Sequence, residues 1–316
     1  MNETRRAVLE QLAAGPVSGP ALADDLEISR AAVWKHVEAL RDAGFEIEST
    51  GSGYRLDADA DTIDAYSGPA IEYGLEAPFS VEFHETIGST NDRARELAAA
   101  GESDVVVVAD EQTGARGRLE RAWDSPSGGV WMSVVCRPSI PPARAPLYTL
   151  AGAVAVTQTA REAGVDAAIK WPNDVIVPVG DDGAYHKLAG ILTEMEGETD
   201  RIEWLVMGIG LNANLSRESL PEGATSVRAE VGDVDRRIFV QRVLEAFDEY
   251  RSDLEAVVPA WRDLAATPGQ RVRVEVADTT IVGRAIDVTD RGALRVETDD
   301  GERTVTAGDC EHLRPA

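Results

Sequence analysis

Three arginines and two glycines lie close together in the segment DEQTGARGRLERAW. Gly114 and Gly117 let backbone amides approach a ligand, because glycine lacks a side chain. The arginines supply forked donors that suit phosphate or carboxylate oxygens; they are Arg116, Arg118 and Arg121. We therefore predict an anion-binding loop. The sequence leaves open a solvated surface loop whose charges offset acidic neighbours.

Two lysines accompany strand-like segments. Lys170 ends the strand of AIKWPND, where Pro172, Asn173 and Asp174 predict a rigid turn. Lys187 enters the apolar segment HKLAGIL. Each is also compatible with an ordinary surface lysine, at a turn or at a sheet edge. Only three of the 31 basic residues are lysine, so a lysine kept beside such a motif favours a role as a compact point charge.

Other common catalytic and metal motifs are absent from the sequence. It has no Gly-Lys-Ser/Thr of a P-loop and no HExxH zinc motif. The segment GIGLNA, from Gly208, lacks the third glycine of a dinucleotide fingerprint. The four histidines and two cysteines, Cys136 and Cys310, do not have metal-ligand spacing, so we predict no protein-held metal.

The first 56 residues predict a winged helix-turn-helix. ETRRAVLEQLAAG has the apolar spacing of a helix, and Ser18 and Ser29 are N-cap candidates for two further helices. Gly44 ends the third helix. FEIESTGSGYRL alternates in polarity on both sides of a Gly-Ser-Gly turn, which indicates a hairpin.

The remaining chain must form the scaffold that positions the loop and the lysines. We predict an acidic linker over 57–69, a domain of strands and helices around a mixed sheet over 70–266, and a small SH3-like β-barrel over 267–316. HKLAGILTEMEG and RIEWLVMGIGLNAN predict an antiparallel pair joined at Glu198-Thr199-Asp200. The fold class is therefore α+β.

The composition is strongly acidic, with a formal net charge of −25. A carboxylate-rich chain with little lysine favours a protein kept in solution in a very salty, halophilic cytosol, although an acidic protein of a GC-rich genome would look similar. No secretory signal or membrane-length apolar run is visible, so we expect a cytoplasmic protein that is not bound to a membrane.

Several short motifs, in order along the whole chain, resemble those of biotin protein ligases of the bifunctional type, which are also biotin operon repressors. The motifs are SRAAVWKHVEALR, ETIGSTND, QTGARGR, SPSGGVWMSV, KWPND, KLAGIL, GIGLNAN and GALRVE. The resemblance implies a central catalytic domain of the class II synthetase-like, biotin ligase fold.

The resemblance also implies roles for individual residues. It implies a biotin pocket lined by Ser89, Thr90, Asn91, Gln112, Arg116, Gly117, Arg118 and Lys187. It implies nucleotide contacts from Arg121, Trp123, Lys170, Asn173 and Asn212. Arg118 and Lys187 would be catalytic and would neutralise charge at the activated α-phosphate. Two alternatives stay open: Ser89 could only cap a helix, and Trp123 could only pack.

The loop departs from the pattern of the family at three positions. The family often has glycine where Ala115 and Glu120 stand, and often another arginine where Leu119 stands. We therefore expect these three residues to change how the loop closes and how well it retains the reaction intermediate, which the resemblance implies is biotinyl-5′-AMP.

The implied reaction joins biotin and ATP into biotinyl-5′-AMP and then transfers biotin to a lysine of a carboxylase carrier domain. Mg²⁺ is expected on the ATP phosphates. The alternatives are a lipoate or octanoate ligase of the same fold, and a biotin-sensing repressor without turnover.

The N-terminal module suggests a second, regulatory function. Its third helix offers four side chains to operator DNA: Arg30, Lys35, His36 and Arg41. Residues 1–55 carry six basic and nine acidic side chains, and a module used only for docking or dimerisation is the alternative. Helix-turn-helix readers usually bind as dimers, so we expect a homodimer.

Overall fold

The structure is a computed structural model that describes residues 1, 3–56, 66–180, 184–276 and 279–313. Contacts within the chain divide it into two units. The first comprises Met1–Leu75 and Ser80–Phe83, and the second comprises Glu76–Phe79 and His84–Ala316. Most of the predicted linker, residues 57–65, lies outside the described residues.

The first unit contains the predicted winged helix-turn-helix. Its elements are α1 (Glu3–Ala14), α2 (Gly19–Asp25), α3 (Arg30–Asp42), β1 (Ile47–Thr50), β2 (Gly53–Leu56) and α4 (Gly68–Glu72). Strands β1 and β2 form the antiparallel hairpin. The hydroxyls of Ser18 and Ser29 accept hydrogen bonds from the backbone at Ala21 and Ala32 and cap α2 and α3. The small core is mainly aliphatic, with Leu9, Leu12, Leu22, Val37 and Leu40 buried.

The second unit contains most of a seven-stranded sheet. Its strands are β3 (Ser80–Ile87), β4 (Val105–Gln112), β5 (Val130–Cys136), β6 (Ala168–Lys170), β7 (Asp174–Val179), β8 (Ala184–Gly197) and β9 (Ile202–Leu211), in the order β3-β4-β5-β9-β8-β7-β6. Its helices are α5 (Thr90–Ala99), α6 (Pro146–Glu162), α7 (Val227–Val231), α8 (Arg236–Ser252) and α9 (Leu254–Leu264). The predicted β8–β9 pair is antiparallel, which confirms that prediction.

Helices cover both faces of this sheet. Every residue of β5 is buried, as the apolar run VWMSVVC requires of a central strand. On one face, Ala94 and Ala98 of α5 pack with Val107, Val135 and Val206. On the other face lies α6, which meets the sheet where a Cβ added at its Gly152 would be 2.6 Å from the sulfur of Met207. The sheet is therefore a rigid platform for the segments at its edges.

The last segment forms a separate five-stranded antiparallel sheet, as expected for the predicted small β module. Its strands are β10 (Arg271–Val276), β11 (Thr279–Val288), β12 (Leu294–Thr298), β13 (Gly301–Val305) and β14 (Asp309–His312), in the order β13-β12-β11-β10-β14. Buried Trp171 connects it to the larger sheet. The Trp171 indole donates to the Gly292 carbonyl, and its backbone N–H donates to the Thr267 hydroxyl, each at 2.9 Å.

Together these elements confirm the α+β class. Among the described residues, none of the helices combines the length and the apolar character that crossing a membrane requires.

Candidate active site

One large cavity of about 700 Å³ opens in the second unit. This volume is typical of pockets for small ligands. All of the residues predicted to contact biotin or the nucleotide line it. The small sheet contributes to the lining through Arg273, Glu275, Asp309, Cys310 and Glu311, which the sequence analysis did not identify.

A network of neutral polar side chains forms one end of the cavity. The amide oxygen of Gln112 accepts from the backbone N–H of Thr90 at 2.8 Å and from its hydroxyl at 3.0 Å. The Ser133 hydroxyl lies 2.8 Å from that of Thr90 and 2.6 Å from the Asn91 amide oxygen. Such a network suits a ligand with a neutral hydrogen-bonding ring, because each member holds the next in one orientation.

The sequence positions this network through a helix cap and a glycine. The Ser89 hydroxyl accepts from the Asp92 backbone N–H and caps α5, which is the alternative that the sequence analysis left open. Asn91, in the first turn, lies across Gly208 of β9. A Cβ at that position would be 2.1 Å from the Asn91 amide oxygen, so only glycine is compatible with this arrangement.

The predicted anion-binding segment is a loop that reaches across the cavity. Arg118 donates to the Asn173 amide oxygen and to the Gly308 carbonyl, each at 2.9 Å. Arg121 pairs with Asp309 at 2.6 Å. The loop is thus attached both to the turn after β6 and to the small sheet.

Two of the three departures from the family pattern lie at unusual backbone angles. Leu119 and Glu120 both have φ of 56°, in the left-handed region that favours glycine. Glycine, which the family often has in place of Glu120, would relieve this conformation. Leu119 is also 72% exposed, so its apolar side chain gains nothing from burial.

Two lysines share one carboxylate at the other end of the cavity. Asp174 lies 2.6 Å from the Lys187 ammonium and 3.1 Å from that of Lys170. Burial alone would raise the pKa of Asp174, but the two lysines outweigh it and lower the pKa. Burial would lower the pKa of Lys170, but the neighbouring groups, Asp174 first among them, outweigh that effect and the pKa is raised. The cluster therefore has a net positive charge, which suits a phosphate.

An aromatic side chain lies beside this cluster. The Lys187 ammonium is 5.0 Å from the centroid of the Trp123 ring, which packs against Gly190 and Gly210. A Cβ at Gly210 would be 2.8 Å from the indole. The indole Nε1 is buried and has no hydrogen-bond acceptor among the described residues, so a ligand could supply one.

The two predicted asparagines line the cavity but use their amide donors within the protein. Asn173 donates to the Ile191 carbonyl at 2.8 Å, and Asn212 donates to the Thr225 carbonyl at 2.9 Å. They hold neighbouring backbone segments of the cavity wall in place.

Sequence reasoning gave no role to Asp174, although its motif was recognised. The neighbouring Tyr185 was also missed: its ring lies 5.7 Å from the Lys170 ammonium and packs edge-on against His312. The available signal for Asp174 was a lysine at the end of a strand-like segment, which needs a counter-charge once the structure buries it. Tyr185 had no such signal.

The four predicted DNA contacts on α3 separate into two pairs. Arg30 and Lys35 are exposed, and the exposed Trp34 lies on the same face. Arg41 donates instead to the Ile47 carbonyl, the Ser49 hydroxyl and a Glu38 carboxylate, and so ties the hairpin to α3.

His36 carries little positive charge near neutral pH. Partial burial and the nearby charge of Arg5 both lower its pKa. The exposed cationic face of α3 is therefore smaller than its sequence suggests.

Comparison with known proteins places this combination of domains in the class of biotin and lipoate protein ligases. The model of the biotin/lipoate A/B protein ligase family matches residues 83–212. A helix-turn-helix model matches residues 4–55, and the biotin protein ligase C-terminal domain matches residues 267–313.

The bifunctional ligase/repressor BirA of Bacillus subtilis is 36% identical over 312 residues, which cover 93% of each chain. The biotin–[acetyl-CoA-carboxylase] ligase of Mycobacterium tuberculosis is 32% identical and covers 72% of this chain and 86% of its own. The structure of the Aquifex aeolicus biotin protein ligase in complex with biotin and ATP superposes with a TM-score of 0.62 and 25% identity, covering 74% of this chain and 99% of that chain. The chain belongs to the biotin protein ligase family.

Proposed function

We propose that this protein activates biotin with ATP to biotinyl-5′-AMP and transfers the biotin to a lysine of a carboxylase carrier domain. The observation that carries the proposal is the shared cavity, which has a neutral polar network at one end and two lysines at the other, with an arginine loop across it. We propose the domain division of the sequence analysis, 1–56, 57–69, 70–266 and 267–316, for these functions.

The neutral network would bind the ureido ring of biotin, and the cationic end would receive its carboxylate. A carboxylate is a poor acyl donor because it has no leaving group. Its attack on the ATP α-phosphate forms the mixed anhydride and releases pyrophosphate. Catalysis of such a step is mainly positioning and charge stabilisation. Lys187 and Arg118 would neutralise the charge on the phosphate oxygens.

The remaining predicted contacts would belong to the nucleotide. Trp123 would stack on the nucleotide and offer its free Nε1 donor, and Arg121, Lys170, Asn173 and Asn212 would complete this end. The closed loop would then keep water away from the anhydride until the carrier lysine attacks its acyl carbon.

Mg²⁺ would enter with ATP rather than occupy a site built from side chains. Among the described residues, no group of three or more His, Cys, Asp or Glu could hold a metal ion. The carboxylate between the lysines, Asp174, is already paired twice. The residues therefore do not fit a protein-held cation, and the phosphates of ATP are the oxygen ligands that Mg²⁺ prefers.

Incubation with ATP, labelled biotin and a biotin carboxyl-carrier domain tests this function. Labelled carrier together with pyrophosphate release supports it. Lipoate or octanoate transfer in place of biotin would reassign the substrate. Biotin binding without pyrophosphate release would leave only a sensing repressor.

Asp174→Asn should make adenylation more sensitive to alkaline pH. Without the carboxylate, Lys170 loses the largest of the influences that oppose burial, so its pKa falls. Lys170 then loses its proton at a lower pH than in the wild type, and a phosphate is held less well. We expect the KM for ATP to rise with pH earlier in the variant, as measured from about pH 7 to 10. If the KM for ATP changes with pH in the same way in both proteins, Asp174 does not have this role.

We also propose that the first unit binds operator DNA as part of a biotin-responsive homodimer. The face of α3 that carries Arg30, Trp34 and Lys35 supports this proposal, because helix-turn-helix proteins present such a helix to the major groove. The acidic, lysine-poor composition supports a salty cytoplasm as the setting.

Arg30→Ala and Lys35→Ala should each weaken binding to duplex DNA. Each should also reduce the slope of log K against the logarithm of salt concentration by about one. Arg41→Ala should mainly lower the thermal stability of the winged domain, because Arg41 holds the hairpin. Fluorescence anisotropy with a duplex selected from a random library measures the first effect. Arg303→Ala, an exposed arginine of β13, removes the same charge as a control. Equal salt slopes in all four variants would contradict the assignment.

A further inference from the structure

The Asn91 side chain is hydrogen-bonded to the carboxylate of Glu194, which does not line the cavity. Its Nδ2 donates to a Glu194 oxygen at 2.7 Å, while its Oδ1 accepts from the Ser133 hydroxyl at 2.6 Å. A carboxylate only accepts hydrogen bonds, so Glu194 fixes which end of the amide is the donor. The orientation of Asn91 in the cavity therefore depends on Glu194.

Glu194 is also the inner end of a chain of alternating charges. Its other oxygen lies 3.4 Å from Arg95, and Arg95 pairs with Asp92. Asp92 accepts two hydrogen bonds from Arg116 of the loop, at 3.0 and 3.2 Å. Glu194 therefore lies between the donors Asn91 and Arg95, and Asp92 lies between Arg95 and Arg116. This series of contacts connects Asn91 to the arginine loop.

The chain continues within the loop itself, where Arg116 pairs with Glu120 at 3.1 Å. Glu120 is 80% exposed at its side chain, whereas Glu194 is 31% exposed. A single exposed ion pair contributes little to stability, so the Arg116–Glu120 pair alone would have little effect. The contact of Glu194 differs, because Glu194 accepts a hydrogen bond from the buried amide of Asn91.

We propose that Glu194 and Arg95 are positioning residues that couple closure of the arginine loop to the biotin end of the cavity. The inference rests on the proposed function, because it takes biotin as the ligand beside Asn91. Glu194 holds Asn91 in the orientation that receives the ligand. Arg95 connects that carboxylate, through Asp92, to the loop residue Arg116.

The test compares biotin affinity and adenylate retention in matched variants. Glu194→Ala should raise the Kd for biotin about tenfold, since a hydrogen bond to a charged group is lost. Glu194→Gln retains an acceptor for Asn91, so its biotin Kd should change much less. The control is Glu196→Ala, which changes an exposed glutamate two residues further along the same strand.

Arg95→Ala should leave biotin affinity nearly intact but release biotinyl-AMP faster, and Glu194→Gln should share this defect. The control is Arg93→Ala on the same helix, where Arg93 pairs with exposed Glu96. At about 2 M KCl the Arg95→Ala defect should shrink, because salt screens ion pairs between exposed groups. The Glu194→Ala loss of biotin affinity should persist, because a hydrogen bond is screened less.

The outcomes separate the inference from the function on which it rests. Equal biotin affinity of Glu194→Ala and Glu196→Ala would overturn the positioning of Asn91. Equal adenylate retention by Arg95→Ala and Arg93→Ala would overturn the coupling. Calorimetry that finds no biotin binding to the wild-type chain would remove the proposed function, and this inference with it. Thermal unfolding of each variant shows whether the fold is intact.

Discussion

Lys187→Ala should reduce the rate of biotinyl-AMP formation by about 100-fold or more while biotin binding falls much less. Removal of one preorganised donor to a developing anion typically costs about 10²–10³ in rate. Lys187 is one of two ammonium groups at the cationic end of the cavity, and it lies beside Trp123. The network that would bind the biotin ring is at the other end, so ground-state binding should be largely retained.

Biotin-dependent exchange of pyrophosphate into ATP measures the rate of adenylation, and calorimetry measures biotin affinity. Lys187→Arg is the matched variant, because it keeps the charge but replaces a compact ammonium by a larger planar group. We expect an intermediate rate for it. If Lys187→Ala forms biotinyl-AMP at the normal rate, the catalytic assignment of Lys187 is wrong.

Arg118→Gly should release biotinyl-AMP about tenfold faster or more, and the free anhydride should then biotinylate lysines nonspecifically. Arg118 attaches the loop through two charge-assisted hydrogen bonds, one to Asn173 and one to Gly308. A hydrogen bond to a charged group contributes about 1.5–3 kcal/mol, and 1.4 kcal/mol corresponds to a factor of ten. The loop should therefore open more often.

Adenylate retention is measured by filtration of the preformed complex, and nonspecific transfer by labelling of an unrelated protein without a carrier domain. Arg118→Lys can reach only one of the two acceptors at a time, so it should give an intermediate release rate. Unchanged retention in Arg118→Gly would reject the loop as a cover for the anhydride, whatever its effect on adenylation.

Local sequence signals were sufficient for many of the secondary elements and for the motifs. Ser18 and Ser29 cap helices as predicted, because a cap depends on a hydroxyl and a backbone N–H three residues apart. The apolar run of β5 and the turn between β8 and β9 are equally local. The ordered motifs also identified the family, which the comparisons confirm.

Tertiary structure alone decided how the charges are paired. The two lysines are 17 residues apart in sequence and meet at Asp174 because β7 and β8 are neighbours in the sheet. Arg118 reaches a carbonyl 190 residues away, at Gly308. Arg41 turns to the hairpin instead of remaining exposed.

The physical reason is that hydrogen bonds and ion pairs act over a few ångströms in space, whatever the separation in sequence. Periodicity and capping report only on neighbours along the chain. The sequence by itself therefore determined many of the elements and the family to which the chain belongs, and it predicted which residues carry chemistry. The folded structure decided which carboxylate each cation meets, and so placed Asp174 between the two lysines and Glu194 against Asn91.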